Sequence, residues 1–368
     1  MNNCSLLIEK LKKVSPGKVF LGFDGFVDEV VHVVKTRHAS GEYDRMETLT
    51  EYGAYISACS GLSSGIEIAT VNKKLGGNAP NMGIALKQVG FDLIIVAAIG
   101  EDAIDPVFHE LIKDMTAIGI AEPGRTDAIE FLDGKHISTK TDSLNKVCWD
   151  DIMKRISADE MAKLFDECAI LAFVDWSYLA NMTGIYRGLL NEVLPRMKNR
   201  QGMKIFIEIS DPEKRTVNEL IEALETIGEF AHSGYDTVLG LNKKEACLVA
   251  QAYGMEIPDR KTQDLETLAA FIFDKLNVTT LVIHPVDRSC SVNENGYTEE
   301  PGPYCETPVL TTGAGDTFNA GFVLGYINGF SPEECLQMGN LFSGYYVRNA
   351  RTANIDELIG FIEQLADN

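Results

Sequence analysis

Basic residues are scarce in this 368-residue chain: 33 Lys and Arg stand against 54 Asp and Glu, a formal net charge of −21. Neither nucleic acid nor an anionic membrane is therefore expected as a partner, since both need clustered Lys and Arg. Any phosphate would have to be held locally, by backbone amides, helix ends, a few basic side chains and a divalent cation. Paired cysteines are lacking too. The eight, at positions 4, 59, 148, 168, 247, 290, 305 and 335, form no CxxC unit and no zinc-like spacing, so reduced thiols in a cytoplasmic protein are expected. No stretch approaches the roughly 20 consecutive apolar residues of a membrane span. The opening MNNCSLLIEKLKKVSPGK has no long apolar core of a signal peptide and reads as a short amphipathic helix ending near Pro16 and Gly17. No GxGxxG follows the first strand-like run, which argues against a dinucleotide-dependent oxidoreductase. What remains is an ordinary globular composition, 45% hydrophobic and 24% charged, long enough for one large α/β domain or two smaller ones.

Short apolar runs alternate with helical patterns over most of the length, which predicts helices around a mainly parallel sheet. Strands are expected at Val19 to Phe23, Leu93 to Ala98, Ile170 to Asp175, Lys204 to Ile209, Thr237 to Leu241 and Thr280 to His284. Helices are expected to begin near Asn78, Pro106, Met182, Val217, Lys243, Leu265, Ala314, Pro332 and Ile355. Residues 29–75 and 123–148 break this rhythm with short alternating segments, such as AIEFLDG and KHISTKT around Asp133 and Gly134, and predict a small separate β-layer.

The densest chemical signal is TTGAGDTFNAGF, residues 311–322. Gly313 and Gly315 let the backbone curl and aim successive N–H groups at one spot, and the helix that follows adds its unpaired amides and positive dipole end. Asp316 in the first turn would stand beside that anion pocket, placed to take a proton from a hydroxyl attacking a phosphoryl group. Upstream, KLGGNAPNMGIALKQVG (74–90) places Gly76 and Gly77 before a helix, with the amides of Asn78 and Asn81 suited to a polyol. The first strand ends in GFDGFVDEV, where Asp24 and Asp28 can each accept from hydroxyls at the carboxyl edge of a sheet. In LGLNKKEA, Asn242 and Glu245 share one side of a first helical turn; they can hold the water shell of Mg²⁺ or simply cap the helix.

Together, and in this chain order, GGN, NxxE and TTGAGD resemble the signatures of the ribokinase family, the PfkB carbohydrate kinases. The resemblance implies a three-layer α/β/α sandwich with a small β-sheet lid formed by the inserted segments 29–75 and 123–148, a lid that in relatives contributes to a homodimer interface. It implies ATP as co-substrate, Mg²⁺, and phosphorylation of a hydroxymethyl group of a sugar or sugar-like alcohol. It assigns the catalytic base to Asp316, the anion hole to Gly313, Ala314 and Gly315, and the sugar site to Gly76, Gly77, Asn78 and Asn81. Asp28 is favoured as the sugar-binding aspartate, with Asp24 still open. Asn242 and Glu245 take the metal positions. Arg215, from a DPEKR loop resembling the family's DPNxR, Thr312 and Asn340 take nucleotide positions, and for Arg215 and Asn340 structural roles stand equally open.

Two departures qualify the resemblance. LVIHPVDRSCSV replaces the usual Thr and Gly-rich turn of the nucleotide site, with His284 expected to be structural, and Leu310 replaces an aspartate tied to monovalent-cation binding, so activation by potassium is not expected. The rival readings are a nucleoside kinase, kept open by Tyr43, Tyr52 and Tyr55 in the lid segment, and a sugar sensor without turnover.

Overall fold

The computed structural model describes residues 2–367. In chain order the strands are β1 (Lys18–Phe23), β2 (Phe26–Arg37), β3 (Tyr43–Arg45), β4 (Glu67–Gly76), β5 (Asp92–Ala97), β6 (Thr116–Gly119) and β7 (Gly124–Phe131). They continue as β8 (Gly134–Lys140), β9 (Ile170–Phe173), β10 (Lys204–Glu208), β11 (Asp236–Leu241), β12 (Thr280–Ile283), β13 (Arg288–Asn293) and β14 (Gly296–Pro301). The large sheet runs β14-β13-β12-β11-β10-β9-β1-β5-β6, parallel from β12 to β6, with β13 antiparallel to both β12 and β14 at one edge.

Alternation along each strand builds two cores from one sheet. Val19 and Leu21 of β1 join Phe206 of β10 on one face, while Phe20 and Phe23 join Phe173, Ile205 and Ile207 on the other. Helices Asn78–Gln88, Ala314–Ile327, Pro332–Asn349 and Ile355–Ala366 cover the first face. Ala158–Asp166, Met182–Gly188, Val217–His232, Lys243–Ala252 and Leu265–Lys275 cover the second, completing three layers. Helix Ala314–Ile327 is buried along most of its length. Its small residues admit a neighbouring helix: a Cβ on Gly321 would lie 2.5 Å from the Met338 carbonyl oxygen.

The second sheet stands apart from the first. β2 pairs with β3 and β4 antiparallel and with β7 parallel, and β7 folds back into β8. That hairpin turns on Leu132 and Asp133, with Phe131 pairing Gly134, one residue earlier than the sequence suggested. The layer also starts earlier, at Phe26, and contains the unforeseen helix Leu49–Ala58, begun by the Thr48 side chain accepting from the Glu51 N–H. This helix backs the sheet. Leu49, Tyr52 and Tyr55 pack against Val31, Val33, Met46, Ile129 and Phe131.

Candidate active site

Five neighbouring parallel strands end in polar side chains. In sheet order, β12 runs into His284, β11 into Asn242, β10 ends on Glu208 and leads to Ser210 and Asp211, β9 runs into Asp175, and β1 into Asp24. Here the chain leaves a dry sheet interior, so polar groups can meet a ligand without breaking the core. The lid faces this edge with one rung of its ladder, in which Lys74, Asp28, Thr126 and Thr139 lie side by side across β4, β2, β7 and β8. Lid and sheet edge enclose a cavity of ≈ 340 Å³ that both line.

The GGN turn is shaped by two carboxylates. A Cβ on Gly76 would lie 2.5 Å from an Asp28 carboxylate oxygen, and one on Gly77, at φ +97°, would lie 2.5 Å from Asp24 Oδ2. Gly77 cannot cap the helix that follows. Asp24 does so from β1, accepting from the N–H groups of Asn78 (2.6 Å) and Ala79 (2.8 Å). Asp24 is fully buried and does not line the cavity; burial pushes its carboxyl up to about 7 against those two hydrogen bonds. Asp28 does line it, beside Thr126 and Lys74, with its carboxyl raised by burial. The two aspartates thus divide the work: Asp24 holds the turn and Asp28 faces the cavity.

Asn81 Nδ2 donates to Asp316 Oδ2 at 3.0 Å, joining the GGN helix to the GAGD turn. Gly313 caps helix Ala314–Ile327 at φ +88°, where a Cβ would lie 2.9 Å from the Tyr346 hydroxyl, which donates to the Thr312 carbonyl (2.8 Å). The Ala314 N–H is already bonded to the Thr311 carbonyl (3.1 Å). The amides of Gly313, Gly315 and Asp316 have no backbone acceptor in this turn, so Gly313 and Gly315 of the expected Gly313–Ala314–Gly315 set stay uncommitted, with the Asp316 amide beside them. Asp316 keeps an opening to the cavity, yet the surrounding protein desolvates it and Glu208 repels it, so its carboxyl lies well above the ordinary carboxylate range.

Asn242 and Glu245 form a reciprocal capping box, Glu245 N–H to Asn242 Oδ1 (2.9 Å) and Asn242 N–H to Glu245 Oε2 (2.9 Å), with Asn242 Nδ2 also donating to Glu245 Oε1 (2.6 Å). Both residues also line the cavity, so capping the helix does not remove them from its wall. Burial and the charge of Glu208 hold the Glu245 carboxyl well above its usual value. Among the described residues no three acidic, His or Cys side chains converge tightly enough to hold a metal alone. Crowded oxygen donors without a closed cage suit a hydrated Mg²⁺ delivered with its phosphate ligand.

Thr312 lines the cavity, but two other expected nucleotide contacts do not reach it. The Arg215 guanidinium lies 4.5 Å from the Trp176 ring and donates to the carbonyls of Trp176, Leu179 and Ala180 and to Glu219. Asn340 Nδ2 donates to the carbonyls of Glu300 and Pro301, holding the end of β14. Tyr52 stacks on Phe131 behind the lid, Tyr55 bonds Ser64 and Gly65, and Tyr43 pairs with His32; none of the three lines the cavity. Its aromatic wall is Phe26 and Tyr178, edge to face at 5.5 Å.

Sequence reading missed Asp175 and Glu208. Glu208 accepts from Asn78 Nδ2 (2.8 Å) and the Ser210 N–H (2.7 Å). Asp175, at φ +61°, is fully buried, lines the cavity and has no hydrogen-bond partner at normal geometry for either carboxylate oxygen. The available signal was a single acid closing each apolar run, in ILAFVD and KIFIE.

A family model described as prokaryotic ketohexokinase matches residues 5–365. A ketohexokinase of Haloferax volcanii is 28% identical over 97% of this chain and 93% of its own. Among solved structures, the Arabidopsis thaliana ribokinase complexed with ribose and ATP superposes with a TM-score of 0.66 at 16% identity, over 95% of this chain and 99% of that one. The adenosine kinase of Sinorhizobium meliloti superposes at 0.60 and 19% identity, over 95% and 100%. At those identities the solved structures establish the ribokinase-like fold, a fold shared by sugar and nucleoside acceptors alike.

Proposed function

This chain belongs to the prokaryotic ketohexokinase family and is an ATP-dependent sugar kinase, and from that premise we propose that its acceptor is a ketohexose, phosphorylated on a primary hydroxyl. The observation that carries the reading is the juxtaposition, in one cavity, of Asp316 on the free-amide turn with Asp28, Asp175 and Asn78 on the opposite walls. Asp316 takes the proton of the attacking hydroxyl, its raised affinity for protons bringing it closer to a working pH than an ordinary carboxylate. Asn81 holds the carboxylate in line, and the Gly315 and Asp316 amides donate to the phosphoryl oxygens as their charge spreads. Mg²⁺, held through water at Asn242 and Glu245, would neutralise part of the phosphate charge.

Sugar hydroxyls meet acceptors rather than cations. Of the two lysines on the cavity wall, Lys135 pairs with Glu130 at 2.6 Å, and Lys74 stands across the β2–β4 ladder from Asp28, whose carboxylate competes with a substrate phosphate for its charge. This favours a neutral sugar over a sugar phosphate. Phe26 and Tyr178 offer a face to its C–H groups, and closure of the lid rung over the sugar would exclude water, a competing acceptor. We place the reaction in the cytoplasm, where ATP is available and eight free cysteines stay reduced, and infer that the lid also carries a homodimer contact. The outward tyrosines leave the nucleoside reading without its aromatic support.

The test is an ADP-release screen with Mg²⁺ and ATP across ketohexoses, aldohexoses, pentoses, sugar phosphates and nucleosides. A ketohexose is expected to give the highest kcat/KM. A nucleoside or sugar phosphate in first place would refute the acceptor, and calorimetric sugar binding with no turnover on any substrate would refute the kinase mechanism in favour of a sensor.

A further inference from the structure

We infer that His284 is a catalytic residue that donates a hydrogen bond to a non-bridging oxygen of the transferring phosphoryl group, beside the Gly315 amide. The inference rests on the proposed phosphoryl transfer at Asp316. Its basis is the position of the ring. His284 follows β12 directly and lines the cavity together with Gly313, Gly315, Asp316 and Asn319. Its Cε1 lies 3.5 Å from the point a Cβ on Gly315 would occupy, so the ring borders the open side of the turn whose amides are free. Stacking fixes its plane: the imidazole lies on Phe318, centroids 4.6 Å apart and planes 25° from parallel. Phe318 belongs to the same helix as Asp316, so ring, turn and base move as one unit.

Three of the cavity's other side-chain nitrogen donors are already engaged. Asn78 donates to Glu208 and Ser210, Asn81 to Asp316 and Asn242 to Glu245, and both lysines stand on the lid beside acids. The His284 ring makes no hydrogen bond to another residue among those described, while the same wall carries Asp316, Glu208 and Glu245. A phosphoryl group entering there meets a wall of acidic side chains, and a rigid N–H that is not shared with a carboxylate lowers the energy of its most charged state. Burial keeps the imidazole neutral, its pKa lowered to about 4, so the ring donates a hydrogen bond and never a proton. In the step itself the sugar O–H proton passes to Asp316, the new O–P bond forms, the bond from the γ-phosphorus to the bridging oxygen breaks, and ADP leaves with that electron pair. His284 is unchanged at the end.

His284→Phe keeps a ring on Phe318 without a donor, and His284→Gln restores a donor without the ring. With Mg-ATP and the ketohexose saturating, H284F is expected to lose roughly 10²-fold in kcat, the usual worth of one such donor, with the sugar KM changed less than about threefold. H284Q should recover at least about tenfold of that loss. Binding separates chemistry from packing: the H284F affinity for Mg-ADP-aluminium fluoride with sugar should fall in step with kcat, while Mg-AMPPNP affinity holds. H284F with wild-type kcat, H284Q as slow as H284F, or equal losses for both nucleotide complexes would overturn the inference. An inactive wild-type enzyme would remove the kinase reading and this inference with it, whereas active wild type beside equally active H284F removes only this one.

Discussion

Replacing Asp316 with Asn separates chemistry from stability in opposite directions. The side chain keeps its size, and its amide oxygen can still accept from Asn81 Nδ2, now 3.0 Å from Oδ2. What disappears is a base. Positioned acid–base catalysis is worth about 10²–10⁴-fold, or about 3–5 kcal/mol at 1.36 kcal/mol per decade, and kcat should fall by that factor. The charge that disappears was costly to the fold, because burial and the carboxylates of Glu208 and Asp24 all oppose it. An acid whose pKa is raised on folding binds more protons folded than unfolded, so it loses stability as pH rises from its unfolded value through its folded one. D316N no longer titrates there. Its thermal midpoint should match wild type near about pH 3, where the unfolded carboxyl is largely protonated, and exceed it increasingly toward neutrality. The measurements are ADP release at saturating ketohexose and Mg-ATP, and calorimetric melting across that pH range. Near-wild-type kcat in a well-folded D316N protein would refute the assignment of the base. A lowered midpoint at neutral pH would refute the electrostatic reasoning.

Three further outcomes follow from the geometry. Gly77→Ala puts a Cβ 2.5 Å from Asp24 Oδ2 at a φ of +97° and ψ of +152°; the backbone alone costs about 1–3 kcal/mol, so melting temperature should drop and sugar KM rise, and an unchanged KM would argue against the turn as part of the sugar site. Glu245→Gln can keep the capping box and its fold, while the Mg²⁺ concentration for half-maximal rate should rise roughly 10–100-fold; an unshifted Mg²⁺ titration would remove Glu245 from the metal's surroundings. Arg215→Ala strips the Trp176 ring and three carbonyls of their partner, so stability should fall by about 1–3 kcal/mol while the KM for ATP stays within about twofold, and a selective rise in that KM would return Arg215 to the nucleotide.

The parts of the fold legible in the sequence are those where one physical demand dominates. β1, β5, β9, β10, β11 and β12 are buried on both faces, so they read as short unbroken apolar runs, and their expected limits differ from the observed ones by one residue, or two at the end of β9. The β13–β14 hairpin escaped notice because it is an edge element. β14 reads GYTEEP with much of it in solvent, and RSCSVN mixes small polar with apolar positions, so neither run shows a clear apolar period. Helix Leu49–Ala58 was hidden for a related reason: it buries no residue fully and only backs the lid.

The candidate site was legible where backbone geometry forces a residue type. Glycines at Gly76, Gly77 and Gly313 are imposed by a carboxylate, a positive φ or a hydroxyl within 3 Å, and such constraints leave a local pattern. Side chains that act across the sheet leave none. Asp24 and Asp28 look interchangeable in GFDGFVDEV, and only the packing of Asp24 against the start of helix Asn78–Gln88 separates a buried cap from a cavity wall. Asp175, Glu208 and His284 each close an apolar strand with one polar residue, which in sequence is indistinguishable from an ordinary strand end. Their meaning comes from strand order. Because β12, β11, β10, β9 and β1 are neighbours in that order, residues 24, 175, 208, 242 and 284, spread over 260 positions of chain, become adjacent along one edge. The same adjacency that makes His284 a phosphoryl contact makes the edge expensive to leave empty, since burial pushes Asp175, Glu208 and Glu245 all toward protonation and the charge of Glu208 adds to this at Asp175 and Glu245. Sugar hydroxyls at Asp175 and Mg²⁺ near Glu245 would each relieve part of that cost, so occupancy of the two halves should be mutually favourable: calorimetry should find sugar binding tighter with Mg-AMPPNP present than without it, and equal affinities would show that the acids along this edge do not couple the two sites.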